Sequence, residues 1–163
     1  MQKGFYNDYL DIKQNIEDYG DEQDLDLFSF SFMDSINDAF QQNELIQIDL
    51  EKYLHGFCDE FSILLNKKYH YPIYASFRNN QLLHAYCKVG DFFIDVRGVT
   101  NNQELFNLEF EDDFKTQTNL KKFNTYKDFF DYMSKIFNNY EIKNIKELGL
   151  LEQDKWFDNY YLI

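Results

Sequence analysis

Proline is nearly absent from this chain, with 1 in 163 residues, and glycine is scarce at 6. That excludes a proline-rich extended chain, and it leaves no glycine-rich linker to separate two bodies. Cysteine is limited to Cys58 and Cys87. Two are too few for the disulfide framework of a small secreted domain, so both are expected to be thiols in a reducing compartment. Cations are also few: 16 Lys and Arg face 29 Asp and Glu, a formal net charge of −13. Such a field repels phosphate backbones and anionic lipid surfaces, which argues against direct nucleic-acid or membrane binding and leaves a basic protein as the macromolecular partner it suits. Long apolar runs are missing too. "MQKGFYNDYLDIKQ" holds no signal-like segment and no later stretch has the length of a membrane-crossing helix, so a cytoplasmic location is expected.

What is abundant is aromatic: 18 Phe and 13 Tyr. At this length they can fill a core without a disulfide or a metal. No repeat, low-complexity stretch or break in composition divides the chain, so a single domain over 1–163 is expected, with no cofactor implied. Phe5, Tyr9, Ile12, Ile16 and Tyr19 recur at helical spacing ahead of Gly20, and Leu25, Phe28, Phe32, Ile36 and Phe40 do so again. A third helical pattern runs from Asp49 to Tyr69, with Leu50, Leu54, Phe57, Phe61 and Leu64 on one face. Gly56 interrupts it, either as a tight contact or as the mark of a new helix starting in "GFCDEF", which would put Cys58 in a first turn. The period then changes: "YHYPIYASF", "LLHAYCKV" and "FFIDVRGV" alternate like strands, separated by "RNNQ" and "GD". Helix returns at "TYKDFFDYMSKIFNNY", while "FNLEFEDDF" and "KWFDNYYLI" fit either state. The fold class expected is α+β, with N-terminal helices packed on a small antiparallel sheet.

The Gly90-Asp91 turn sets a register. A two-residue loop pairs Val89 with Phe92, Lys88 with Phe93, Cys87 with Ile94, Tyr86 with Asp95 and His84 with Arg97. His84 and Asp95 then share a face as diagonal neighbours, opposite a face carrying Leu83, Ala85, Val89, Phe92, Ile94 and Val96. A carboxylate beside an imidazole fixes its tautomer and stabilises its protonated form, which is half of a nucleophilic device. Cys58 supplies the other half, because a helix N-terminus and a neighbouring His⁺ both lower a thiol pKa. All three side chains are expected to line a cleft.

"GFCDEFSILL" followed by "LLHAYCKVGDFFIDVRG" resembles the core of papain-like and transglutaminase-like cysteine enzymes, which run from a helix bearing Cys to a sheet bearing His and then Asp or Asn. The resemblance covers roughly residues 54 to 100. It implies a papain-like/transglutaminase-like core in which Cys58, His84 and Asp95 are catalytic, acting on an amide bond of a protein or peptide substrate as a peptidase or deamidase. The sequence departs from the family in three ways. The His-to-Asp spacing is tighter than in transglutaminases, His84 precedes Ala-Tyr where Ala-Trp is common, and no Gln stands just before Cys58, Gln47 being farther off.

Other readings of the same residues stay open. Cys58 also reads as a small buried apolar residue, His84 as a solvated strand residue, and Asp95 as the ion partner of Arg97. His55-x-x-Cys58 and His84-x-x-Cys87 repeat a zinc-like spacing, but residues 84 and 87 point to opposite faces of a regular strand, so no metal is assigned. His55 is an alternative base, and His70 sits at a loop or strand start. The acidic runs "EDYGDEQDLD" and "EFEDD" suggest a second function class, a non-catalytic acidic module of inhibitor or nucleic-acid-mimic type that binds a basic protein.

Overall fold

The change of period after Tyr69 is the start of a sheet. The computed structural model describes residues 2–6, 50–110 and 118–163. Within these, strands β1 (Gln2–Gly4), β2 (Ile73–Arg78), β3 (Gln81–Val89), β4 (Phe92–Asp95), β5 (Gly98–Thr100) and β6 (Asn119–Phe123) form one antiparallel sheet in the order β1-β5-β4-β3-β2-β6. The helices are α1 (Cys58–Tyr69), α2 (Gln103–Asn107), α3 (Tyr126–Ile136), α4 (Ile145–Glu152) and α5 (Trp156–Tyr161). The arrangement is α+β. The N-terminal helix expected from Phe5, past Tyr6, and the one built on Leu25 to Phe40 lie outside the described residues. Among the described residues no helix is long and apolar enough to cross a membrane.

Short turns set the meander. Asn79 and Asn80 both adopt positive φ, at 53° and 60°, the conformation a two-residue hairpin needs and Asn tolerates. Gly90, at φ 57°, does the same at the β3–β4 turn, and the register that follows is the expected one: Val89↔Phe92, Lys88↔Phe93, Cys87↔Ile94. Two departures come next. The β2–β3 register slips between Ser76 and Phe77, leaving Leu83 as an extra residue beside His84. And the third strand stops early: the chain turns at Val96–Arg97, so Asp95 pairs with Gly98 rather than His84 with Arg97. The Asp95 side chain drives this turn by accepting the Arg97 N–H at 2.9 Å.

Helix α1 lies at the centre. A π-helical turn, Lys52–Gly56, closes with Phe57 N–H on Lys52 O, and α1 starts afresh at Cys58, so Gly56 marks the break and not a continuous helix. Nine of its residues are buried, Cys58 to Asn66 in sequence, because it is covered on both sides. One side meets the sheet, with Cys87 Sγ 3.6 Å from Ser62 O. On the other, Phe61 packs against Tyr53, Phe157 and Tyr161. Polar side chains lock it in place. Asn66 donates to Tyr71 O and Asn124 O and accepts from Tyr126 N–H, joining α1 to β2 and α3. Glu60, 1% exposed, accepts from the Lys143 and Asn144 N–H groups ahead of α4.

The opposite face of the sheet is covered by residues 106–110. Phe106 lies 4.4 Å from Phe93 and 4.8 Å from Tyr86, ring centre to ring centre. Both faces are therefore buried, which the alternation of apolar residues did not suggest.

Gly98 has φ +124°, and a Cβ there would collide with the Lys3 carbonyl across the β1–β5 pair. Gly90 also has positive φ but faces open space. Gly98→Ala is therefore expected to cost ~2–4 kcal/mol and Gly90→Ala ~1 kcal/mol, read as urea midpoints. Equal costs would mean that the close approach of β1 contributes nothing.

Candidate active site

Three elements converge near the N-terminus of α1. Cys58 opens the helix, and its Sγ accepts the Ala85 N–H at 3.4 Å, just past the last β3–β4 pair. A strand N–H lies in the plane of the sheet, so the sulfur sits beside β3 where β4 has ended. His84, one residue before Ala85, places Nε2 3.4 Å from Asp95 Oδ2. Its other nitrogen, Nδ1, is buried with no hydrogen-bond partner among the described residues. Of the residues singled out in the sequence, His84 and Asp95 meet directly, and Cys58 Sγ is bound one residue along from His84, at the Ala85 N–H, while Cys87 points toward Ser62 O and Tyr71 O.

Asp95 is bound more tightly to Arg97 than to His84. The guanidinium donates from Nη2 at 2.7 Å and from Nε at 3.2 Å to each oxygen, and Tyr6 Oη donates to Oδ1 at 3.0 Å. The ion pair foreseen as the ordinary role of Asp95 is present alongside the imidazole contact, and it is the stronger of the two by distance. Arg97 is fully buried and also donates to Phe106 O and Leu108 O.

These contacts set the protonation states. Burial alone would raise the Asp95 carboxyl, but the Arg97 guanidinium and the hydrogen bonds from His84 and Arg97 outweigh it, holding the group far below the usual carboxylate range. Burial lowers the His84 pKa, helped by Arg97 and His55 and opposed by Asp95. A neutral ring donating Nε2–H to an ionised Asp95 leaves a bare lone pair on Nδ1, the form of a base. Cys58 departs from expectation. Burial foremost, then the Asp59 carboxylate in the same first turn, push its thiol from 9.0 up to about 12, against the lowering effect of the Ala85 N–H. The helix N-terminus is there as anticipated, but desolvation is the larger effect and the sulfur is protonated.

Enclosure is the second correction. His84 is 0%, Asp95 3% and Cys58 7% exposed, so all three are buried where an open cleft was expected. Phe110 stacks on the His84 ring with centroids 4.1 Å apart and planes 22° apart, and Phe106 and Tyr86 complete its surroundings. This cover was not legible in the sequence, because "FNLEFEDDF" fits helix and strand alike and says nothing of what it packs over.

The remaining candidates fall elsewhere. His55, the alternative base, packs against Phe110 with ring centres 5.4 Å apart and faces Glu109 Oε2 at 3.5 Å. His70 ends α1 in the left-handed conformation, φ 61°. Among the described residues no group of three or more His, Cys, Asp or Glu side chains is arranged to hold a metal. "EDYGDEQDLD" lies outside the described residues, as does "EFEDD" past Phe110. A pair the sequence did not single out is Asp59 and Tyr140, joined at 2.5 Å; burial raises the Asp59 carboxyl above its ordinary value while the Tyr140 hydroxyl opposes it.

His84 binds its proton more weakly folded than unfolded, so acidification below its ordinary 6.5 favours the unfolded chain. Cys58 and Cys87 hold their protons more tightly folded, so raising the pH above their ordinary 9.0 favours the unfolded chain as well. Urea midpoints are expected to be highest between these limits and to fall on either side by up to ~1.4 kcal/mol per pH unit per group. His84→Gln should flatten the acid limb just below 6.5; an unchanged limb would show that the ring is not held neutral.

Comparison of the chain with protein-family models, with curated proteins and with solved structures finds no match.

Proposed function

We propose that the chain is a cysteine-dependent amide-bond hydrolase, a peptidase or deamidase, acting on a protein or peptide substrate through Cys58, His84 and Asp95. The observation that carries this reading is the division of labour on the His84 ring: Nε2 faces Asp95 while Nδ1 is buried and unpartnered among the described residues, one residue from the N–H that holds Cys58 Sγ. A buried ring nitrogen without a partner costs stability, and such costs concentrate where a group has chemical work.

On this reading the Cys58 S–H proton passes to His84 Nδ1 as the sulfur forms a bond to the substrate carbonyl carbon. His84 returns that proton to the leaving nitrogen, the C–N bond breaks and a thioester remains. Water, deprotonated by His84, then attacks the thioester; the acid is released and the thiol takes its proton back. Asp95 keeps Nε2–H in place throughout and is itself held ionised by Arg97. The N–H groups in the first turn of α1, which has no side-chain cap, are the donors available to a developing oxyanion.

A second reading is a non-catalytic acidic module that binds a basic protein, favoured by the net charge of −13 and by the raised Cys58 pKa. The two separate in a peptide-mixture assay read by mass spectrometry. New termini, or conversion of Gln and Asn to acids, are expected with the wild type and not with Cys58→Ala or His84→Ala. Asp95→Ala should retain a residue of activity, lower by roughly 10- to 1,000-fold, and Cys87→Ser should be nearly silent. Turnover that survives Cys58→Ala would end the hydrolase reading.

A further inference from the structure

The enclosed state has a definite architecture. Arg97 fixes the base of the covering segment through Phe106 O and Leu108 O. Beyond Leu108 the chain makes a single tight turn, with Phe110 N–H on Asn107 O and Glu109 at φ 76°, a conformation that residues with a Cβ rarely adopt. That turn delivers one side chain, Phe110, onto the imidazole. Phe110 is itself buried, at 2% exposure, stacked on His84 at 0%, and His55, whose side chain is 39% exposed, is tilted against it at 5.4 Å. Phe110 therefore covers one face of the candidate base.

The seat it fills has a chemical preference. Its floor is the flat His84 ring, stacked nearly parallel, and the Arg97 guanidinium lies 5.6 Å from the Phe110 ring centre. An imidazole face and a cation both favour a π system over an aliphatic chain of the same volume. A seat so close to the base is also where a side chain next to a scissile amide would lie.

We propose that Phe110 is an in-chain plug: it occupies the seat that receives an aromatic side chain of the amide substrate, and the site opens when the Glu109–Phe110 turn lifts while Phe106 and Leu108 stay on Arg97. The inference rests on the hydrolase reading for the identity of the substrate, but not for the plug itself. It also gives the high thiol pKa a role. The buried thiol is inert while Phe110 is seated, and it gains water and acidity when the plug leaves.

The test uses the two thiols of the full chain as internal standards. Cys87 lies at 0% exposure on the strand that carries His84, so it reports global opening, whereas Cys58, bound at the Ala85 N–H one residue along from His84, reports opening next to the ring that Phe110 covers. In Phe110→Ala, iodoacetamide labelling of Cys58 is expected to rise about tenfold relative to Cys87, with Phe110→Leu intermediate and available if the alanine variant fails to fold. Parallel acceleration of both thiols, or no change in their ratio, would overturn the plug. The substrate class is tested with p-nitrophenyl esters of N-acetylphenylalanine and N-acetylalanine, followed by the mass of acylated Cys58. Acylation about tenfold faster with the phenylalanine ester supports the aromatic seat, and equal rates overturn it. Selective opening of Cys58 with no acylation by either ester would keep the plug and sink the hydrolase.

Discussion

A guanidinium with no exposed surface must be neutralised and hydrogen-bonded by the protein itself, and at Arg97 this requirement organises the centre of the molecule. Asp95 supplies the counter-charge, two carbonyls of the 106–110 segment take further donors, and Tyr6, Phe106 and Phe110 offer ring faces within 5.0 to 5.6 Å. The Arg97 carbonyl in turn accepts from Phe5 N–H and Tyr160 Oη. Removing one partner of such a pair leaves a buried charge uncompensated, at a cost of about 3–5 kcal/mol. The candidate site borrows this arrangement: the carboxylate that orients His84 is ionised because Arg97 needs it to be.

Charge and enclosure therefore act together. The same low-polarity surroundings that keep His84 neutral and ready to accept a proton keep Cys58 from giving one up. A neutral imidazole and a protonated thiol are thus two results of one cause, the burial that both share.

Much of this could be read from residues alone, and where it could not, a physical cause is identifiable. The β3–β4 register followed from counting outward from Gly90-Asp91, since turn geometry and alternation fix pairing locally. The new helix at Cys58 was one of two readings that Gly56 left open. Counting failed past Asp95, where a side chain accepts its neighbour's N–H and turns the chain, and at Leu83, where one extra residue enters a strand whose composition does not mark it. Strand β6, "NLKKF", was missed because it is mostly exposed and carries two lysines in place of an alternating apolar face. The burial of His84 was invisible for a different reason: it depends on Phe106 and Phe110, which only tertiary packing brings to that face. Local pattern tells which residues share a strand, not what lies over them.

The bonds around Arg97 also constrain the order of assembly. Phe5 N–H reaches Tyr160 Oη across 155 positions of sequence, and Tyr161 Oη braces the turn through Val96 O. Contacts of that separation close large loops and form late, after the local hairpins and helices that make them worth closing. A chain still emerging from synthesis, with β3 and β4 already paired, would hold His84 and Asp95 in register but without the C-terminal helix that braces their turn. The His84–Asp95 grouping is thus finished by a segment made 65 residues after Val96, which ties its completion to completion of the fold.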